Sequence, residues 1–244
     1  MTSHTPRNYT YLMTMDYFIH DLGFSQEVLP KDVYGHDLPG HGASNWDLSL
    51  YDMETITSNL CSLIPQQTHV VGHGFGAHLA LNIALKREDI SVTAVGMLPA
   101  QDECTFLKNI NTHSDAVTFN TGTRTYQDLV NYSRHQSDDI AIQSIFIDSF
   151  MKQDPLFIPT LLDKGLTSYN WDEINKVKSL GPQRFQLVLN KNDPLIESPE
   201  KYIQDELSGH LVHHSFRGHT PWAPKNYYQY LKSSDAPITR GIPL

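Results

Sequence analysis

The stretch Thr68–Lys86, THVVGHGFGAHLALNIALK, constrains the fold more than any other part of the chain. His69-Val70-Val71 belongs to an uninterrupted β-prone run, as expected of a strand in a sheet covered on both faces. It leads into Gly72-His73-Gly74-Phe75-Gly76-Ala77. After that comes a segment whose apolar residues, Leu79, Leu81, Ile83, Ala84 and Leu85, surround most of a helical circumference. A helix that is apolar on nearly all sides has to be buried. Strand, glycine-rich turn and buried helix, in that order, require a layered α/β domain.

The rest of the chain repeats this rhythm. Candidate strands are Thr10–Met13, Asp32–His36, Thr68–Gly72, Ser91–Met97, Phe185–Leu189 and Leu211–Phe216. Candidate helices are Tyr51–Leu63, Phe75–Lys86, Pro199–Leu207 and Pro221–Leu231. Strands alternating with helices predict a mostly parallel central sheet with flanking helices. Residues 99–184 break the rhythm and read as several helices, clearest at Ile140–Met151, where Ile142, Ile145, Phe146 and Ser149 fall at helical spacing. The expected organisation is an α/β core, 1–98 and 185–244, interrupted by a helical cap or lid, 99–184, since long insertions above a sheet commonly cover a site.

Charge and cysteine content narrow the function classes. The 244 residues carry 18 Lys+Arg against 27 Asp+Glu, a net charge of -9, with no basic run. Nucleic acid and anionic membranes select basic surfaces, so neither is an expected partner. Cys61 and Cys104 lie far apart with no CxxC spacing, which disfavours a disulfide scaffold and fits a reducing, cytoplasmic setting. Met1–Thr10 is polar, without the apolar core of a signal peptide, and no apolar run reaches the about 20 residues that span a bilayer. His210, His213 and His214 have no metal-ligand motif, so no metal is expected. A small-molecule substrate is the expected partner.

Two kinds of site use a strand, a glycine-rich turn and a helix. One is the dinucleotide fingerprint G-x-G-x-x-G/A, which Gly72, Gly74 and Ala77 satisfy formally. Its context fails: the next strand ends at Gly96-Met97 with no acidic residue to hold a ribose, and the unit is the third strand along rather than the first. No cofactor is therefore expected. The other is the nucleophile elbow G-x-S-x-G, in which flanking glycines let a strained turn push the central side chain into a pocket.

With the elbow in place, three further segments resemble the α/β-hydrolase family, and the likeness covers nearly the whole chain. Asp37-Leu38-Pro39-Gly40-His41-Gly42-Ala43-Ser44 resembles that family's D-x-P-G-x-G-x-S loop. Leu187 to Leu195 resembles the strand end that delivers the acid of the catalytic triad, here Asp193. Phe216-Arg217-Gly218-His219-Thr220-Pro221-Trp222 resembles the turn that delivers the triad histidine, here His219. The order elbow, acid, histidine is the family's order. The resemblance implies oxyanion-hole donors at Phe75, just after the elbow centre, and near Met15, in the loop expected at 13–17. That loop carries no His-Gly motif, and the family's opening hairpin has no expected counterpart before the first strand. His41 and Ser44 are expected to shape their loop, and Asp102 is a fallback position for the acid.

One position departs decisively. The elbow centre is Gly74, which has no side chain with which to attack. Three functions fit this departure. The first is an esterase or thioesterase scaffold acting on an acyl carbon of a small apolar ester or acyl thioester, its nucleophilic serine replaced by glycine naturally or by design. The second is an enzyme that needs no nucleophile and uses a His219–Asp193 general-base dyad for water-mediated hydrolysis, lyase or other cofactor-free chemistry. The third is a ligand-binding receptor. Aromatic residues of the insertion, such as Phe106, Phe146, Phe150, Phe157 and Trp171, suit an apolar ligand but equally suit the insertion's own core.

Overall fold

A computed structural model describes residues 16–29, 33–102, 105, 125–165, 169–190 and 201–214. Six strands form one sheet: β1 (Asp16–Ile19), β2 (Tyr34–Gly35), β3 (His69–His73), β4 (Ser91–Val95), β5 (Phe185–Asn190) and β6 (Leu211–His214). Their order is β2-β1-β3-β4-β5-β6, and every pair is parallel. The chain runs from β1 to one edge at β2, then crosses back to β3 on the other side of β1. The sequence order therefore reverses between β1 and β3, and ligands of open α/β sheets bind beyond the strand ends at such a switch point.

The continuous apolar strands supply both faces. Tyr17, Ile19, Val70, Val92, Ala94, Phe185, Leu187 and Leu189 enter the principal core, while their alternate neighbours Phe18, Val71, Val95 and Val188 form a second cluster. Helices α1 (Met53–Leu63) and α2 (Phe75–Lys86) pack into the principal core. In α1, Asp52 caps the N-terminus by accepting the Thr55 N–H at 2.8 Å, and Met53, Ile56 and Leu60 make the buried stripe. Helix α2 spans the expected residues and buries nine of them, from Phe75 to Ala84.

The stretch between β4 and β5 contains two differently packed parts. Helix α3 (Tyr126–Gln136) opens with a capping box of Thr125 and Asp128, and α4 (Ile140–Met151) is capped by Asp139. Leu129 of α3 and Phe146 and Phe150 of α4 cluster with Phe24, the residue that ends the loop after β1. The short α5 (Phe157–Thr160), a π turn at Leu161–Gly165 and α6 (Glu173–Leu180) instead join the principal core through Phe157, Ile158, Leu161, Ile174 and Val177. Helix α7 (Lys201–Leu207) packs on α6. The expected strand Thr10–Met13, the expected helix Pro221–Leu231, Cys104 and Phe106 lie outside the described residues.

A buried polar network locks α6 to α2. The fully buried Glu173 carboxylate accepts the Ala100 N–H at 2.8 Å, the Tyr169 hydroxyl at 3.0 Å and the His78 Nδ1–H at 2.9 Å. Asn82 extends the network by donating to the Tyr169 oxygen at 2.6 Å. Replacing Glu173 with Gln turns one acceptor into a donor that faces other donors. Urea denaturation of Glu173→Gln is expected to show a loss of about 1–3 kcal/mol, the cost of one buried group left unmatched.

Several histidines are held neutral. Burial lowers His20, lowers His41 to about 3 and lowers His69 to about 4, while burial raises the Asp16 carboxyl to about 6. Below the ordinary histidine value of about 6.5 the unfolded chain binds protons at these histidines that the folded chain refuses, so stability falls as pH falls. Asp16 opposes this, because the folded state takes up its proton near pH 6, above the carboxylate range of the unfolded chain. The three histidines outnumber it, and stability is expected to fall between pH 6.5 and 5. In His41→Leu the pH dependence of the urea-unfolding free energy over that window should shrink by one proton, about 1.4 kcal/mol per pH unit.

Candidate active site

The turn between β3 and α2 has the shape of a nucleophile elbow, and each glycine in it answers to a specific close approach. A Cβ on Gly72 would lie 2.5 Å from the Gly76 carbonyl oxygen and 2.6 Å from Ala77 Cα, so the helix could not fold back over the strand. A Cβ on Gly76 would overlap the carbonyl oxygens of Ile19 and His20 at the end of β1. Gly74 stands between them at φ +50° and ψ -117°, a conformation L residues adopt only under strain. Its N–H donates to Val95 O at 2.9 Å and its carbonyl accepts the Ala77 N–H at 3.0 Å, fixing the turn between β4 and the first turn of α2.

The space a side chain would fill at Gly74 is already occupied. A Cβ there would overlap the carboxylate of Asp21, which reaches across from the loop after β1. Asp21 Oδ1 accepts the Phe75 N–H at 2.6 Å. Phe75 is the first residue of α2, and Gly74 offers that helix no side-chain cap. The carboxylate thus meets the positive end of the α2 dipole and satisfies one of its otherwise unpaired donors. Asp21 is half-buried.

His20 holds this loop in place. Its Nδ1–H donates to the Asp21 carbonyl at 2.8 Å, and its Nε2 accepts the Leu38 N–H at 2.9 Å. Both ring nitrogens are satisfied by a neutral imidazole, in keeping with the lowered pKa that burial imposes. The His20 ring packs on that of His41 at 5.1 Å. His41 in turn donates to Pro39 O at 3.0 Å and lies edge-on to Phe157 at 4.6 Å. The Asp37–Ser44 loop is shaped as expected: Asp37 accepts the Gln26 and Ala43 N–H groups at 2.7 and 2.9 Å, and Ser44 Oγ donates to the His41 carbonyl at 2.8 Å. On the insertion side, a Cβ on Gly23 at φ +77° would overlap the Phe150 ring of α4.

The oxyanion loop was expected at 13–17, but residues 16 and 17 lie within β1. Thr10–Met13 and Tyr17–Ile19 are both apolar, β-prone runs, and the second of them makes a strand. The loop that meets the elbow is therefore 20–24, reading His-Asp-Leu-Gly-Phe, and it contains the two polar residues that sequence reasoning missed. The legible signal was the His-Asp pair directly after an apolar run. Phe75 stands where expected, although its N–H is engaged by Asp21. Met15, Asp193 and His219 lie outside the described residues; the strands that precede the latter two, β5 and β6, end on the same side of the sheet as β3. Asp102 is exposed and accepts the Thr105 N–H at 2.7 Å, which makes it the cap of a turn. Among the described residues no group of three His, Cys, Asp or Glu is arranged to hold a metal ion, and no helix is long and apolar enough to cross a membrane.

Comparison with known proteins agrees with this geometry. Solved structures of similar fold include the N-acyl homoserine lactonase AidH as a mutant complexed with N-hexanoyl homoserine, at 17% identity and a TM-score of 0.71, covering 95% of this chain and 91% of that one. They also include a serine-to-glycine mutant of the same lactonase complexed with N-hexanoyl homoserine lactone, at 16% identity and a TM-score of 0.70, covering 93% and 91%. A third comes from work on carboxylesterases of the ammonia-oxidizing thaumarchaeon Nitrososphaera gargenis, at 16% identity and a TM-score of 0.64, covering 93% and 92%. No curated protein matches the chain. The model of the alpha/beta hydrolase family matches residues 3–222. With its parallel sheet and its elbow at the switch point, the chain belongs to the α/β-hydrolase family.

Proposed function

We propose that this protein acts on the acyl carbon of a small, apolar ester, lactone or thioester, and that it does so without a covalent serine step. The observation that carries this is the elbow. Its strained shape and flanking glycines are kept at the switch point, while Gly74 leaves nothing to form an acyl-enzyme. Structural relatives caught with N-hexanoyl homoserine and its lactone support an acyl compound of this class. The Asp21 carboxylate in the same space supports a glycine native to the chain, because a serine at position 74 would have to displace it.

In this reading a water takes the nucleophile's part. His219, oriented by Asp193, carries the proton that must move between attacking water and leaving oxygen. The lid role of the insertion belongs to the same proposal: α3 and α4 rest on Phe24, at the end of the loop that bears Asp21.

The test is an assay of the wild type, His219→Ala and Gly74→Ser against short p-nitrophenyl esters, acyl lactones and acyl thioesters. The wild type is expected to turn over at least one class, and His219→Ala to lose about 10²–10⁴-fold in rate, the usual contribution of a positioned proton carrier. Gly74→Ser should gain nothing. An inert wild type with a highly active Gly74→Ser would instead identify a serine hydrolase that has lost its nucleophile. Ligand-induced stabilisation with no turnover by any form would identify a receptor.

A further inference from the structure

We propose that Asp21 is the reactive side chain of the elbow: the functional group that position 74 lacks is supplied from position 21, and it acts as the general base that activates the attacking water. The inference rests on the acyl-hydrolase reading above. Three observations converge on Asp21. Its carboxylate lies in the volume a side chain at Gly74 would fill. It is bonded to the Phe75 N–H, the donor beside that position. It follows β1 as Gly74 follows β3, so the two residues flank the switch point of the sheet from either side.

A carboxylate placed there does not work as serine does. If Asp21 attacked an ester, the adduct would contain a carboxylate and an alkoxide as competing leaving groups. The carboxylate, the far weaker base, would depart first and the attack would reverse. Taking a proton from water avoids that reversal. Ionised Asp21 accepts one proton as the water oxygen bonds to the acyl carbon, and the acyl C=O opens to an oxyanion. The tetrahedral adduct then collapses, the bond to the leaving oxygen breaks, and protonated His219 gives that oxygen its proton. Asp21 releases its proton to solvent and His219 takes one up, which restores both groups, and the sum is ester plus water to acid plus alcohol. Negative charge leaves Asp21 as it appears on the acyl oxygen, so the Phe75 N–H loses its anionic partner in the step in which an oxyanion forms beside it.

His20 is a positioning residue in this scheme. It grips the Asp21 carbonyl with one ring nitrogen and the Leu38 N–H with the other, which sets where the loop delivers the carboxylate.

The test compares the wild type with Asp21→Asn, whose amide oxygen still accepts the Phe75 N–H but whose side chain takes no proton. On the best substrate of the panel, kcat is expected to fall at least 100-fold with KM unchanged. The wild-type rate should fall as pH rises from 5 to 8, because Asp21 must be ionised and His219 protonated; a histidine base would give a rate that rises through about 6.5. Unchanged kcat in Asp21→Asn, or a rate that rises with pH, overturns the role of Asp21 and leaves the hydrolase reading standing. A residue that only caps α2 would show a lower Tm in Asp21→Asn and no loss of kcat. A wild type inert on every acyl class overturns both proposals. A second measurement checks the placement without any substrate. Gly74→Ala should lower Tm by more in the wild-type background than in Asp21→Gly, where the backbone strain remains but the overlap is gone. Equal drops in the two backgrounds would show that Asp21 does not fill the elbow.

Discussion

The hydrogen bond between the Phe75 N–H and the Asp21 carboxylate joins two segments that lie 54 positions apart in the sequence. It connects the loop after β1 to the first residue of α2 across the switch point. Helix α2 begins at a glycine and has no local cap, so its N-terminal donors and positive dipole end need an acceptor from elsewhere in the chain. The same loop is held below by His20, which ties it to the Asp37–Ser44 loop, and above by Gly23 and Phe24, which seat α4. Three segments distant in sequence, the start of α2, the Asp37–Ser44 loop and α4, are thereby joined through one short loop.

The glycines around this point do different work. Gly72 and Gly76 have no side chain because backbone from the helix and from β1 passes where a Cβ would be. Those contacts hold the turn in shape whatever occupies its centre. At Gly74 the overlap is with a side chain from another segment, not with backbone. The elbow keeps its left-handed geometry because its neighbours enforce it, and a glycine bears that geometry without the about 1–3 kcal/mol of strain that a residue with a Cβ would store. The elbow is thus a frame held by the backbone that flanks its centre.

Elements with a strong period were legible in the sequence. Helices α2 and α4 have the expected limits, and the apolar strands β3, β4 and β5 fall where their runs predict. The loop from Asp37 to Ser44 was legible through its resemblance to the family's D-x-P-G-x-G-x-S loop. Two features were not readable. Thr10–Met13 and Tyr17–Ile19 have equal claim to be a strand by composition, and an oxyanion loop at 13–17, as the first implies, leaves His20 and Asp21 outside it. Helix α6 is not among the individually expected helices; Glu173 decides which core it enters, by reaching the backbone N–H of Ala100 and the side chain of His78. Both misses concern contacts between residues far apart in the chain, where a sequence period carries no information.

In the proposed reaction, the Asp21 carboxylate on the Phe75 N–H restricts the chemistry further than the lack of a side chain at Gly74 does. Two full negative charges cannot share the Phe75 N–H, so a reaction that builds an oxyanion there requires Asp21 to give up its charge in the same step. Proton abstraction by Asp21 meets that requirement; a spectator carboxylate would oppose the reaction it stands beside. The constraint also acts after the reaction. Ester or lactone hydrolysis yields a carboxylic acid, and two carboxylates in one half-buried site repel each other. On this proposal the charge that activates the water also drives the acidic product out, whereas a neutral ester or lactone enters without that penalty. The proposed site would then discriminate substrate from product by charge, in the direction in which the protein's net charge of -9 acts on a departing anion.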